Sequence, residues 1–267
     1  MTDTRLRLDI YPFELSSELQ DAANEHGYRI GPERAAGWLF FRSASVPGEI
    51  AIAATSAGLL GPFFLSLAHP GAARELAAQM ASPCARGHAG AFVFPTRDAL
   101  FEGVSAAYRL SNSLPTLPYE EFVKSTAELG DTEMERMQKV RIGQARFRDA
   151  LLNYWNETCP LTGIANPELL RASHIIPWIK CESDQERLNV HNGLLLSSLW
   201  DAAFDTGLIS FDDDGRVIAS PALGEPAKRR LGIETAPSIA LTDEHRVRLN
   251  WHRRELWQSE FTAKGSQ

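Results

Sequence analysis

Apolar residues in the first 110 positions come in short runs separated by Gly and Pro, whereas those in 131–155 recur at helical spacing. That contrast divides the chain into two differently patterned halves. In the first, positions 13–26 carry the i, i+3, i+4 spacing of an amphipathic helix. Residues 37–42, 49–54, 62–67 and 91–94 are apolar runs of strand length bounded by turn residues. Residues 70–79 predict a helix with Pro70 at its first position. Residues 96–110 predict another, capped by Thr96 with Asp98 in its first turn. The run Ser111-Asn-Ser-Leu-Pro-Thr-Leu-Pro118 then breaks the pattern, and its two prolines predict a linker. Domains are therefore expected at 1–118 and 119–267.

In the second half, Met134, Met137, Val140, Ile142, Phe147, Leu151, Leu152 and Trp155 fall on one stripe of a long helix over 131–155. Lys139, Arg141, Arg146 and Arg148 lie on its other side and read as a solvated face before they read as phosphate contacts. Residues 171–176 have strand character, ended by Pro177. A polar excursion (180–189) follows, then an Asn192-Gly193 turn leading into an apolar strand. Residues 199–205 predict a short helix, with Ser198 as N-cap and Gly207 as its end. Strand, loop, strand and helix make a compact ββα unit at about 159–207. Residues 208–218 predict a hairpin around Asp214-Gly215, and 242–258 a last helix with His245 and His252 on one face. The fold class is α+β: an N-terminal mixed α/β domain followed by a C-terminal ββα domain with flanking helices.

Composition alters this picture little. Hydrophobic residues are 44% and charged residues 23% of 267, enough apolar surface for real cores and too much for a disordered chain. Cys84, Cys159 and Cys181 are too few for a disulfide framework or a four-cysteine zinc site. No apolar stretch follows Arg5 and Arg7 as a secretory leader would require, and no run is long enough to span a bilayer. A cytoplasmic, reduced location with no membrane partner is the default expectation. The net charge of −7 argues against binding nucleic acid through diffuse positive charge. Nor does charge separate the halves: residues 1–118 carry 9 basic and 11 acidic side chains, the remainder 18 and 23.

The polar residues of the ββα unit sort by chemistry. Ser173 and His174 are adjacent on its first strand. Asp201 and Asp205, spaced i, i+4, share a helix face, where two like charges invite a divalent cation. Oxygen donors with open positions suit Mg²⁺ or Mn²⁺ better than structural zinc. An unperturbed imidazole titrates near pH ~6.5, which fits His174 for general-base work.

The motifs Ala172-Ser-His-Ile175, Asn192-Gly-Leu-Leu-Leu196 and Asp201-Ala-Ala-Phe-Asp-Thr-Gly207, in this order, resemble those of the prokaryotic HNH endonucleases. The likeness extends back to Arg141-Ile-Gly-Gln144 and Phe147-Arg148, covering about 131–220. It implies a ββα-metal fold, a DNA substrate and one divalent metal, Mg²⁺ or Mn²⁺, per active site. By position, His174 matches the base that activates water and Asn192 the asparagine that fixes the loop. Asp201 matches a metal ligand, and Asp205 the additional ligand of members such as the colicin nucleases. Ser173 stands where many relatives carry Asp or His as a ligand, a departure that weakens any coordination through it. Arg171, Lys180 and Arg148 are the candidate phosphate contacts, and a homodimer is one way to cut both strands.

Plainer readings stand beside these. A strand histidine can be structural, and the two aspartates can be surface acids. His191 reads as a turn residue, Cys159 and Cys181 as core or loop thiols, and Trp178 as packing. Asp212, Asp213 and Asp214 read as a solvated turn, without the ordered spacing of a calcium loop. Arg246, Arg248, Arg253 and Arg254 either line a DNA groove or oppose nearby acids. Trp38, Phe40, Phe41, Phe63 and Phe64 could stack on a flipped base but fit core strands better. Residues 1–118 match no catalytic motif, and an attached recognition domain for DNA sequence or modification is the architectural expectation. The functional expectation is a metal-dependent DNA endonuclease in restriction or other defence. The alternatives are a non-catalytic DNA-binding or regulatory protein on a degenerate ββα scaffold, and a nuclease acting on RNA.

Overall fold

The computed structural model describes residues 11–82 and 84–257. The opening ten residues, on which the absence of a secretory leader was read, lie outside that range. Two compact units meet at Leu117/Pro118.

Unit 1 is built on a six-stranded antiparallel sheet. Its elements are α1 (Phe13–Glu25), β1 (Ile30–Ala35), β2 (Trp38–Arg42), β3 (Glu49–Ala54), β4 (Phe63–Leu67), α2 (Pro70–Glu75), β5 (Gln79–Met80), β6 (Gly90–Phe94) and α3 (Arg97–Ser113). The sheet order is β1-β2-β3-β4-β6-β5. The central strands β3 and β4 are buried along nearly their whole length, which is why they read as continuous apolar runs rather than alternating ones. The aromatics Trp38, Phe41, Phe63 and Phe64 are all core, at 3% exposure or less. They are therefore inaccessible to a flipped base.

Two expectations here need correction. The helix foreseen over 70–79 stops at Glu75, because Gln79 and Met80 leave it to pair with Val93 and Phe92 at the sheet edge. The linker foreseen over 111–118 is mostly helix. Ser111 and Ser113 are buried in the last turn of α3, and the Ser113 hydroxyl donates to the Arg109 carbonyl. Pro118 sits in the first turn of the next helix, α4 (Thr116–Thr126), where a missing N–H costs no hydrogen bond. The joint is only Leu114 and Pro115.

Unit 2 continues with α5 (Glu133–Tyr154), β7 (Leu170–His174), α6 (Asp184–Arg187), β8 (Gly193–Ser197), α7 (Ser198–Asp205), β9 (Ile209–Phe211), β10 (Val217–Ala219), α8 (Glu225–Leu231) and α9 (Asp243–Glu255). A capping box of Thr132 and Glu135 starts α5. The apolar stripe of α5 divides in two. Phe147 and Leu151 are buried at 1% and 0%, whereas Met134, Met137 and Val140 are 80%, 55% and 39% exposed. Only the second half of the helix packs on β7 and β8; α7 also packs on these strands. Ser197, not Ser198, is the N-cap of α7, and the Ser198 hydroxyl donates to the Leu169 carbonyl.

His245 and His252 do share a face of α9, but both are fully buried. The α9 arginines oppose acids and carbonyls: Arg248 pairs with Glu186, Arg246 with Asp243, and Arg253 with Asp213 and the Phe211 carbonyl. Asp212 accepts from the backbone N–H groups of Asp214 and Arg216, a turn held by its own side chain.

Candidate active site

The antiparallel pair β7–β8 sets Ser173 opposite Leu194 and His174 opposite Gly193. Adjacent strand residues face opposite ways. Ser173 accordingly meets α7, its hydroxyl donating to Asp201 Oδ1 at 2.5 Å, while His174 meets α5, its ring stacked on Phe147 at 3.7 Å.

Gly193 is what makes the stack fit. Its backbone is extended, φ −151°, so no turn requires a glycine there and the expected Asn-Gly turn is instead a single 3-10 turn running into β8. A Cβ on Gly193 would come within 2.5 Å of Phe147 Cζ and 2.7 Å of Leu151 Cδ1. The glycine thus clears the space in which Phe147 supports the imidazole.

His174 Nε2 lies 2.9 Å from the Arg187 carbonyl oxygen. A carbonyl only accepts, so the proton resides on Nε2 and the lone pair on Nδ1. Among the described residues, nothing bonds to that Nδ1. Burial lowers the His174 pKa to about 4, against weaker opposing effects of the Arg187 carbonyl and Glu186. The imidazole is therefore neutral at pH 7 and a weaker base than its unperturbed value suggests.

Asn192, fully buried, ties down the loop after His174. Its Oδ1 accepts from the Ile176 N–H at 2.8 Å, and its Nδ2 donates to the Ile176 and Glu186 carbonyls. Nδ2 also reaches Cys181 Sγ, which explains why that thiol is buried.

On the other side, Asp205 lies one turn after Asp201 on α7. Burial of its inner side and the like charge of Asp201 push the Asp205 carboxyl up to about 6, although the residue is partly open to solvent. The pair is a concentration of negative charge without a neutralising side chain on it. Among the described residues, no group of three or more His, Cys, Asp and Glu is arranged to hold a metal ion. The donor set is two carboxylates and the Ser173 hydroxyl, which suits a hard cation that keeps several waters.

The candidate phosphate contacts separate. Arg148 donates to the Leu170 and Pro167 carbonyls, fastening α5 to the start of β7. Arg171 is exposed and donates to the Glu168 and Leu170 carbonyls. Lys180 is exposed, with no side-chain partner among the described residues. Sequence reasoning missed Arg187. Its carbonyl anchors His174, and its guanidinium bonds Asp184, the Trp178 carbonyl and the Cys181 carbonyl. Nothing in the aperiodic 180–189 run marks it, because its decisive contact is made by backbone.

A strand, a restraining loop, a second strand and a helix presenting carboxylates define the ββα class of phosphodiesterase site. Residues 159–212 match the model of a family described as HNH endonuclease, and this segment is of that family. The match implies nuclease activity, and family members usually use a divalent metal. No curated protein matches the chain. Among the described residues, no helix is long and apolar enough to cross a membrane.

Proposed function

We propose that this protein is a metal-dependent DNA endonuclease acting in the cytoplasm, in restriction or defence against foreign or modified DNA. The observation that carries the reading is the state of His174: a neutral imidazole, pinned through Nε2–H to the Arg187 carbonyl, with Nδ1 open among the described residues. Nδ1 takes a proton from water as the oxygen attacks phosphorus, and the Arg187 carbonyl stabilises the imidazolium that forms. Phe147 fixes the ring plane and Asn192 the loop, so the base is held in orientation before substrate arrives. Asp201 and Asp205 would hold the cation, with Ser173 orienting Asp201. When bound, Mg²⁺ or Mn²⁺ supplies positive charge to the scissile phosphate and the departing 3′ oxygen. Unit 1 is the candidate for recognition, and a homodimer would place two such sites on a duplex.

The test is plasmid cleavage with Mg²⁺, Mn²⁺ or chelator, on modified and unmodified DNA, with single-stranded RNA alongside. Cation-dependent nicking or linearisation is expected, and cleavage of RNA alone would move the substrate class. Ser173 in place of an acid supports a second reading, a DNA-binding protein on a degenerate scaffold. Tight binding with no cleavage under any of these conditions would establish that one instead. Calorimetry with Mn²⁺ should show binding to the wild type and none to the Asp201→Ala, Asp205→Ala double variant.

A further inference from the structure

Arg136, Lys139 and Val140 of α5 line, with α4 and the loop after β7, an open cavity of about 500 Å³, within the size range of small-molecule sites. Tyr119, Phe122 and Trp178 contribute aromatic surface to it, and Arg136, Lys139 and Arg187 contribute cations. One acid, Asp184, also lines it, and that acid is paired with Arg187 at 2.8 Å. Arg136 and Lys139 are one helical turn apart on α5. Among the described residues, nothing pairs with the Arg136 guanidinium. Lys139 reaches only the exposed Asp131, at 3.9 Å.

The aromatic wall is held in place. Gly143, in the middle of α5, lies against Trp178, and a Cβ there would approach Trp178 Cη2 to 2.5 Å. A mid-helix glycine is less favourable than alanine, so this helix forgoes stability where Trp178 is seated. An occupant of the cavity needs a flat, π-bearing portion for the aromatics and negative charge for Arg136 and the weakly paired Lys139.

We propose that this cavity binds a nucleotide, its base on the aromatic side chains and its phosphate on Arg136 and Lys139. Base stacking on an aromatic ring is favourable for every base and does not depend on sequence. The cavity also borders the base of the nuclease site. Trp178 meets the His174 ring edge-on at 5.6 Å, and Arg187, which lines the cavity, carries the carbonyl that anchors His174. The occupant is therefore either a nucleotide of the strand being cut or a free nucleotide that modulates cutting. The strand source rests on the nuclease reading; nucleotide binding itself does not.

The test uses the full-length protein in chelator, where no cleavage occurs. Calorimetry is run with a 5′-deoxymononucleotide and with a single-stranded octanucleotide, against wild type and an Arg136→Ala, Lys139→Ala double variant. Lys124→Ala serves as a surface-charge control. Tenfold or greater weakening of either ligand in the double variant, with the control unchanged, is the expected result. For the octanucleotide, the slope of log K against log salt should fall in magnitude by roughly one. Loss confined to the octanucleotide assigns the cavity to the substrate strand, and loss including the mononucleotide assigns it to free nucleotide as well. Equal affinities of wild type and double variant for both ligands overturn the proposal. A protein that cuts DNA but shows this equality defeats only the cavity; one that binds nucleotide through these residues but never cuts defeats only the nuclease.

Discussion

Each unit of this molecule contains a serine, a histidine and an acid among its hydrogen-bonded side chains, but only in unit 1 does the histidine bond the other two. In unit 1, His88 Nδ1 lies 3.1 Å from Ser66 Oγ and His88 Nε2 3.4 Å from Glu49 Oε1. Ser66 has no exposed surface; its hydroxyl donates to the Gly90 carbonyl and accepts from the Ala85 N–H. Both imidazole nitrogens and the hydroxyl are thus occupied inside the sheet. In unit 2, Ser173 turns to Asp201, and His174 engages a carbonyl through one nitrogen and leaves the other open. Residue types in proximity do not make a site. What distinguishes the second group is an acceptor left without a partner among the described residues on one face of β7. On the other face is a carboxylate pair in which burial and like charge push the Asp205 carboxyl up.

The comparison breaks most sharply at the two histidine groups. His174→Ala should lower DNA cleavage per folded molecule by on the order of 10²–10⁴-fold, the usual worth of a general base, far beyond what its loss of stability accounts for. Ser66→Ala should do the reverse. It strands buried polar groups at a cost of about 1–3 kcal/mol yet leaves the cleavage rate of the folded fraction within twofold. Cleavage kinetics and urea melts on both variants decide it. Full cleavage by His174→Ala would remove the functional distinction between the two groups.

Next in size is the packing beneath the base. Gly193→Ala meets no backbone penalty, since the strand is extended there, but its methyl must displace Phe147 and Leu151. Overpacking of this kind costs about 1–3 kcal/mol, and the displaced Phe147 should tilt His174 and lower cleavage with it. Gly224→Ala, whose added carbon would meet only Pro226 Cδ at 3.8 Å, is the control and should be silent in both measurements.

This pair of glycines also marks how far the sequence could be read. The ββα order, the place of Asn192 in the loop after His174 and most strands were legible, because strand runs, turn residues and motif spacing are local signals. The role of Gly193 was not, since Asn-Gly ordinarily signals a turn and the side chain that needs the space comes from α5, more than forty residues earlier. The split stripe of α5 was invisible for the same reason. Met134 and Phe147 look equivalent in periodicity, and only tertiary packing decides which of them is covered. Strand β1 was missed because Gly31, Pro32 and Glu33 carry no apolar pattern at an exposed sheet edge.

Proton linkage separates site from scaffold more gently. Burial holds His174, His245 and His252 at about 4, 3 and 4, below the ordinary histidine value. Below pH 6.5 the unfolded chain takes up protons that the folded chain refuses until about pH 4. Stability from these groups is therefore complete above 6.5 and lost as pH falls toward 4. His252 is structural, with Nδ1 on the Ser210 hydroxyl and Nε2 on the Phe204 carbonyl. His252→Asn should be less stable at pH 7.5, with its stability falling less steeply between 6.5 and 4, by up to about 1.4 kcal/mol per pH unit for one proton. An unchanged slope in denaturant melts across that range would show that His252 is not held neutral.

The smallest effect concerns the acid pair, and its sign is opposite. Asp205 is held up at about 6 by burial and by Asp201, so between about pH 3.8 and 6 the folded chain retains a proton that the unfolded chain has lost. Its contribution thus favours the fold at low pH and turns against it as pH rises through 6. Asp205→Asn should then stabilise the cation-free protein at pH 7.5. After allowance for solvent screening on its open side, the gain is on the order of 1 kcal/mol, and it should vanish near pH 4. Adding Mg²⁺ should raise the thermal midpoint of the wild type at pH 7.5 and narrow its gap to the variant, because a cation that binds only the folded state stabilises it by mass action. If Asp205→Asn instead destabilises the cation-free protein at pH 7.5, the carboxylate is satisfied where it stands, and the second serine–histidine–acid group is as closed as the first.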